Sequence, residues 1–306
     1  MEHDKDNSNF KQLTLSLVFN WILQHYIFAI CFYVVMLVVG VSVAFNETSF
    51  YRSEATLIAS DNSSGGGGGL LSEQFGGLAS LAGVNLQSKN SKVTLALEIL
   101  RSREYLINFI ENNDLLETLL LFDSWDKQTN QIILSEDTVV LSLINDSRER
   151  ALLAAYEEFN SFIVVNTDNA TGVTKISLDF YTPFKSQLLL ESIVKNLNEY
   201  VRERDKKIAK KSIEFLNSKI PETNLQMNKT ILYQLLEQQI QSDMFAEITE
   251  EYVFRVIDPP YANETAVKPK RLFIVASILF FALIVHIGVA ITMVLWKEDQ
   301  KYRNDK

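Results

Sequence analysis

Two uncharged apolar runs, residues 26–45 and 272–296, constrain this chain more than any motif, since neither contains Asp, Glu, Lys or Arg. A bilayer core about 30 Å thick takes about 20 apolar residues in a helix, so both runs are predicted to cross it. The first run is longer than the apolar core of a cleavable signal. It leads into Asn46, Glu47 and Thr48 with no small-residue cleavage site, so it is expected to remain as an anchor. Two spans place residues 1–25 and 297–306 on one side of the membrane and residues 46–271 on the other. Lys5, Lys11, Lys297, Lys301, Arg303 and Lys306 on the tails narrowly outweigh Arg52, Lys268, Lys270 and Arg271 at the other ends. Long loops cross largely regardless of charge, so the tails are expected in the cytoplasm and the large loop outside.

The net charge of −9 falls on the middle segment, which argues against nucleic acid as a partner. Cys31 is the only cysteine and lies in the first span. The three histidines are His3, His25 and His286, in a tail or in or beside a span. The body therefore has no Ser-His-Asp or Cys-His pair, no thiolate and almost no route to a zinc site, and no metal or cofactor is expected. Its many Asp and Glu residues leave open a carboxylate pair of the kind that cleaves glycosides.

Within the body, residues 50–59 alternate in a strand-like pattern. Residues 61–69 read DNSSGGGGG, a flexible loop whose Leu70-Leu71 ending lacks the Gly-Lys-Ser/Thr of a phosphate cradle. Residues 71–86 mix small and apolar side chains and residues 92–122 have helical spacing, which together predict short packed helices, and a further helix is predicted over 147–159. Two period-2 stretches, 161–166 and 173–181, are predicted to form a β-hairpin. Residues 184–219 then hold helical spacing without proline or glycine, which gives a helix of about 54 Å that should project as an arm. Pro221 is expected to interrupt it and turn the chain into a second helix over residues 222–248. Residues 251–257 are a further strand candidate, able to share a sheet with the strands that precede the arm.

Three groups of residues are candidates for contact. Arg202, Arg204, Lys206, Lys207, Lys210 and Lys211 form a cation-rich stretch of the long helix; it is either a solvated face or a contact with an acidic neighbour or anionic polymer. Asp258, Pro259, Pro260, Lys268, Pro269, Lys270 and Arg271 lead into the second span, and their prolines predict a semi-rigid extended connector. Gly40 with Ala44, and Gly288 with Thr292, offer small-residue faces for packing the two spans. His286 lies mid-membrane, where a polar side chain faces other helices.

The order of these segments resembles the bacterial polysaccharide co-polymerases, the Wzz-type chain-length determinants of lipopolysaccharide O-antigen and related glycans. The likeness runs nearly end to end. It is carried by the small-residue segment at 76–83 (GGLASLAG), the helix at 97–106 (LEILRSREYL), residues 198–216 ending in SIEFL, and YVFRVIDPP at 252–260 followed by Lys268-Pro269-Lys270-Arg271. Fewer prolines in the connector, and Gly288 as the lone glycine of the second span, depart from the usual pattern of relatives.

The resemblance implies an α+β class. Two transmembrane helices would bracket a periplasmic domain with an α/β base at the membrane and a long projecting helical hairpin. It also implies a ring-shaped homo-oligomer in the bacterial inner membrane, with both termini cytoplasmic. Such a protein controls how many sugar repeats a separate membrane polymerase joins, with the growing polysaccharide as a further potential contact, and performs no chemistry itself. Some relatives continue into a cytoplasmic tyrosine kinase, which the short segment after Trp296 leads us not to expect. Two other classes fit the layout less well: a two-span periplasmic sensor, which would lack an output domain, and a membrane-tethered carbohydrate-active enzyme.

Overall fold

The computed structural model describes residues 23–60, 91–223 and 225–304. The expected loop at 61–69, the small-residue segment at 71–86 and residues 1–22 of the N-terminal tail lie outside the described residues. The described chain is a mixed helix and strand structure in two compact units: one built on the two apolar helices, the other spanning Phe50–Ala266.

In the first unit, helix α1 (Tyr26–Asn46) is long and apolar enough to cross a membrane, as is residue span Arg271–Lys297 of the C-terminal helix. The two helices pack together. Gly40 is buried, and a Cβ built there would lie 3.6 Å from Val275 Cα and 3.7 Å from Ile278 Cβ, so the missing side chain permits a close crossing. Ala44 is buried one turn further along.

The second unit is organised by a four-stranded antiparallel sheet. Its first strand is β1 (Tyr51–Ala59), whose Tyr51, Ser53, Ala55 and Leu57 point to the buried face at the strand period of two. Three helices follow the undescribed segment: α2 (Ser91–Arg101), α3 (Arg103–Asn112) and α4 (Leu116–Leu120). A two-stranded ribbon, β2 (Phe122–Asp126) and β3 (Gln131–Leu134), and helix α5 (Thr138–Asp146) come next. Helix α6 (Arg148–Phe162) leads into the hairpin of β4 (Ile163–Thr167) and β5 (Val173–Phe180). Asp168 closes that hairpin by accepting from the Ala170 N–H at 2.9 Å and the Thr171 hydroxyl at 2.8 Å, which holds its carboxyl below the usual range. Gly172 supplies the positive φ of +72° the turn needs.

Helix α7 (Pro183–Glu222), α8 (Gln226–Ile248), strand β6 (Phe254–Ala262) and helix α9 (Arg271–Asn304) complete the chain. The sheet order is β4-β5-β1-β6, so the first and last strands of the unit are neighbours, with Ser53 opposite Ala262. The chain thus enters and leaves this unit at adjacent points. α7 lies on β1, β5 and β6 and seals the core: Leu190, Ile193 and Leu197 are fully buried with Leu57, Ile176, Leu178 and Phe180. Full burial of each such side chain contributes about 1.5–3 kcal/mol. α3 and α6 extend the same core, where the Phe109 and Phe159 rings stack with centroids 5.7 Å apart. Arg52 crosses from β1 to Asp179 directly opposite on β5, with its Nε 2.6 Å and Nη2 2.9 Å from the carboxylate oxygens.

Two expectations need correction. The stretch containing Asp258, Pro259 and Pro260 is not a connector but part of β6, which begins at Phe254, three residues past the expected start at 251, and continues to Ala262. Proline is tolerated there because β6 is an edge strand bonded on one side to β1, with register shifts between Glu54 and Leu57 absorbing the lost donors. Pro221 does not interrupt α7, which ends at Glu222; in the last turn it forfeits one bond where the helix is ending anyway. The short packed helices expected over 92–122 are α2, α3 and α4, and Phe122 begins the ribbon.

Candidate functional site on the helical hairpin

α7 and α8 pack against each other as a helical hairpin. α7 starts with a defined signal: the Thr182 hydroxyl accepts from the Lys185 N–H at 3.1 Å, and Pro183 occupies the first helical position. Ser186 then donates to the Leu178 carbonyl at 2.8 Å, which fixes the helix to β5. At a rise of 1.5 Å, its 40 residues span about 60 Å.

Three buried or half-buried contacts secure the root of the hairpin. The Tyr105 hydroxyl donates to the Ile193 carbonyl at 3.2 Å, and burial pushes this phenol's pKa up. Asn198 accepts the N–H groups of Val253 and Phe254 at 2.8 and 2.9 Å while donating to the Phe254 carbonyl at 3.0 Å. Tyr252 donates to Asp205 at 3.0 Å, and Lys92 Nζ lies 3.1 Å from the same hydroxyl and 3.3 Å from Asp205. Burial first, then the Asp205 charge, pushes the Tyr252 phenol up, so it remains a neutral donor. Sequence spacing could not reveal the Lys92, Asp205 and Tyr252 cluster, because its members come from α2, α7 and the approach to β6.

The six cations of α7 separate into two groups. Arg202 bonds Glu199 on its own helix at 2.6 Å, and Lys206 bridges Glu203 on α7 to Glu247 on α8, so Lys206 ties the two helices of the hairpin together. Arg204, Lys207, Lys210 and Lys211 have no carboxylate within ion-pair distance among the described residues. α8 presents another surface. Tyr233, Ile240, Met244 and Ile248 recur at spacings of seven, four and four residues and are all exposed, which makes an apolar stripe along its outer side.

In the first unit, the packing face of α9 is Ala282, His286, Ala290 and Val294, all buried at four-residue spacing. Gly288 and Thr292, the expected pair, lie off that face: nothing stands within 4 Å of a Cβ at Gly288, and Thr292 donates back to the Val289 carbonyl at 2.9 Å. The His286 ring stacks on Tyr33 with centroids 5.5 Å apart. Of the connector residues in this unit, Arg271 donates to the Ser49 hydroxyl at 3.0 Å and sits over the Phe45 ring at 4.6 Å. Lys268 and Lys270 are exposed on either side of Pro269. Among the described residues, no group of three or more His, Cys, Asp or Glu side chains is placed to hold a metal ion.

No family model matches the chain, and no curated protein matches it. Among solved structures, the chain is similar to a fragment of WzzB, a polysaccharide co-polymerase from Salmonella Typhimurium. That match has 13% identity and a TM-score of 0.29, over 72% of this chain and 100% of the other. It is also similar to a full-length bacterial polysaccharide co-polymerase, with 11% identity and a TM-score of 0.34, over 94% of this chain and 98% of the other. At these identities and TM-scores the two likenesses transfer no residue's role to this chain.

Proposed function

We propose that this protein is a non-enzymatic regulator of surface polysaccharide chain length, O-antigen or a related glycan. It acts as an oligomeric scaffold in the bacterial inner membrane, beside a separate polymerase. The large unit stands in the periplasm, and both termini are cytoplasmic.

One observation carries the reading: a body without histidine or cysteine, framed by two apolar helices, supports a 40-residue helix and its return partner, and the outer side of that hairpin is left apolar. Such an arm has little to offer chemistry and much to offer assembly. The stripe of Tyr233, Ile240, Met244 and Ile248 has the four- and seven-residue spacing by which one helix packs on another. A second copy of the chain is the partner that this proposal assigns to it.

Deleting the gene and separating the surface glycan by length tests the proposal. A clustered ladder that becomes random on deletion, and clusters again when the gene is restored, is the expected result. An unchanged ladder would reject the reading.

A further inference from the structure

We propose that the face of α7 turned away from α8 is a binding site for an anionic sugar polymer, with Arg204, Lys207 and Lys211 meeting its charges and Tyr200 and Phe215 stacking on its rings. The inference rests on the proposed role in polysaccharide length control and names the class of ligand that the arm would touch.

The helical wheel makes this arrangement explicit. At 3.6 residues per turn, these five side chains fall within a sector roughly 80° wide, and Tyr200 to Phe215 covers about 22 Å of axis. The opposite sector holds Ala209, Leu216 and Ile220, which are buried. The five residues therefore form one continuous strip on the outer side of the hairpin.

Two features separate this strip from an ordinary solvated helix face. First, its cations are not balanced. Arg204 with Lys207, and Lys207 with Lys211, are like charges at three- and four-residue spacing, which repel. The carboxylates that neutralise Arg202 and Lys206 do not reach them. Secondly, aromatic rings stand among the charges: Phe215 is 60% exposed, and Tyr200, whose ring meets Tyr105 edge-on with centroids 5.6 Å apart, keeps 36% of its surface exposed. A solvated face has no use for them, whereas an aromatic ring presents a flat apolar surface to the C–H face of a sugar ring while the cations take its carboxylate or phosphate groups. All this occurs in a chain of net charge −9, so the local excess of cations is specific to this face.

The test uses the full chain in detergent micelles, titrated separately with polygalacturonate, neutral dextran and polyglutamate of matched length. Polygalacturonate is expected to bind best, with affinity that falls as salt is raised. The combined substitution Arg204→Gln, Lys207→Gln and Lys211→Gln should weaken that binding at least tenfold, and Phe215→Ala should weaken it severalfold, while Phe215→Tyr retains it. All of these positions are exposed or half-exposed, and an unchanged melting temperature verifies that each variant is folded. Equal binding of polyglutamate and polygalacturonate would overturn the inference in favour of an acidic protein surface. Undiminished binding by the triple variant would overturn it outright. A parent chain that does not bind polygalacturonate although its deletion randomises the ladder removes this inference alone, whereas binding in a protein whose deletion leaves the ladder unchanged supports the site and rejects the proposed function.

Discussion

Asn198 on α7 and Phe254 at the start of β6 hold each other through both polar atoms of one amide: Oδ1 accepts the Phe254 N–H at 2.9 Å and Nδ2 donates to the Phe254 carbonyl at 3.0 Å. The same Oδ1 accepts from the Val253 N–H at 2.8 Å. A side chain on the long helix thus satisfies the backbone where the chain returns from the hairpin to the sheet, and all three residues are buried. Replacing Asn198 with Ala leaves two N–H groups and a carbonyl without their partner. The expected loss is about 3 kcal/mol, read as a lower melting temperature of the detergent-solubilised protein. An unchanged melting temperature would mean that the clasp contributes nothing.

The tie between Lys206 and Glu247 gives the hairpin a predictable response to pH. The hydrogen bond and charge of Lys206 hold the Glu247 carboxyl below its ordinary 4.5, and the bond from Glu247 raises Lys206 above 10.5. A lowered carboxyl stabilises the fold fully above its unfolded value and loses that contribution as pH falls through the folded one. A raised amine stabilises fully below its unfolded value and loses the contribution as pH rises through the folded one. The contact is therefore at full strength between these limits and weakens below about pH 4.5. Thermal melts of Glu247→Gln should show a shallower fall in stability on acidification than the parent chain. Parallel curves would show that the pair is idle.

Gly40 and Ile278 provide a direct check on how the two apolar helices meet. The separation of 3.7 Å between a Cβ at Gly40 and that of Ile278 falls inside the range a disulfide spans. In a Cys31→Ser background, Gly40→Cys combined with Ile278→Cys should form an intramolecular bond on mild oxidation, visible as a mobility change reversed by reductant. Gly40→Cys combined with Gly288→Cys should not, because Gly288 lies off the packing face. The opposite pattern would place the helices in a different rotation.

The elements legible in the sequence are those whose signal is long and periodic. The two apolar helices and α7 each hold one period over 20 residues or more, and no tertiary partner is needed to see them. Strand β6 was harder to read because Pro259 and Pro260 argue against a sheet unless the strand is known to lie at its edge, which is a property of the sheet order and not of the segment. The ribbon of β2 and β3 escaped notice because its strands are five and four residues long; its turn is held by Asp126, which accepts from the Gln128 N–H and Thr129 hydroxyl, as Asp168 holds the β4–β5 turn. Of the site, the cation-rich stretch was visible as composition. Which of its members are neutralised depends on Glu247, 41 positions from Lys206, and on the rotation of α7 against α8. On α9, Gly288 drew attention by its size, but the buried face follows Ala282, His286 and Ala290, a register that only the partner helix determines.

The central claim is that the protein governs how long the polymer becomes and not how much is made. The decisive measurement is the length distribution and the total amount of surface glycan, taken together, in cells whose only copy carries Ile240→Glu and Met244→Glu on the outer stripe of α8. The account predicts that total glycan stays near the parent level while the clustered lengths give way to a broad distribution. Loss of glycan with the cluster intact in what remains would contradict it, because that is how a damaged catalyst, and not a damaged regulator of length, would behave.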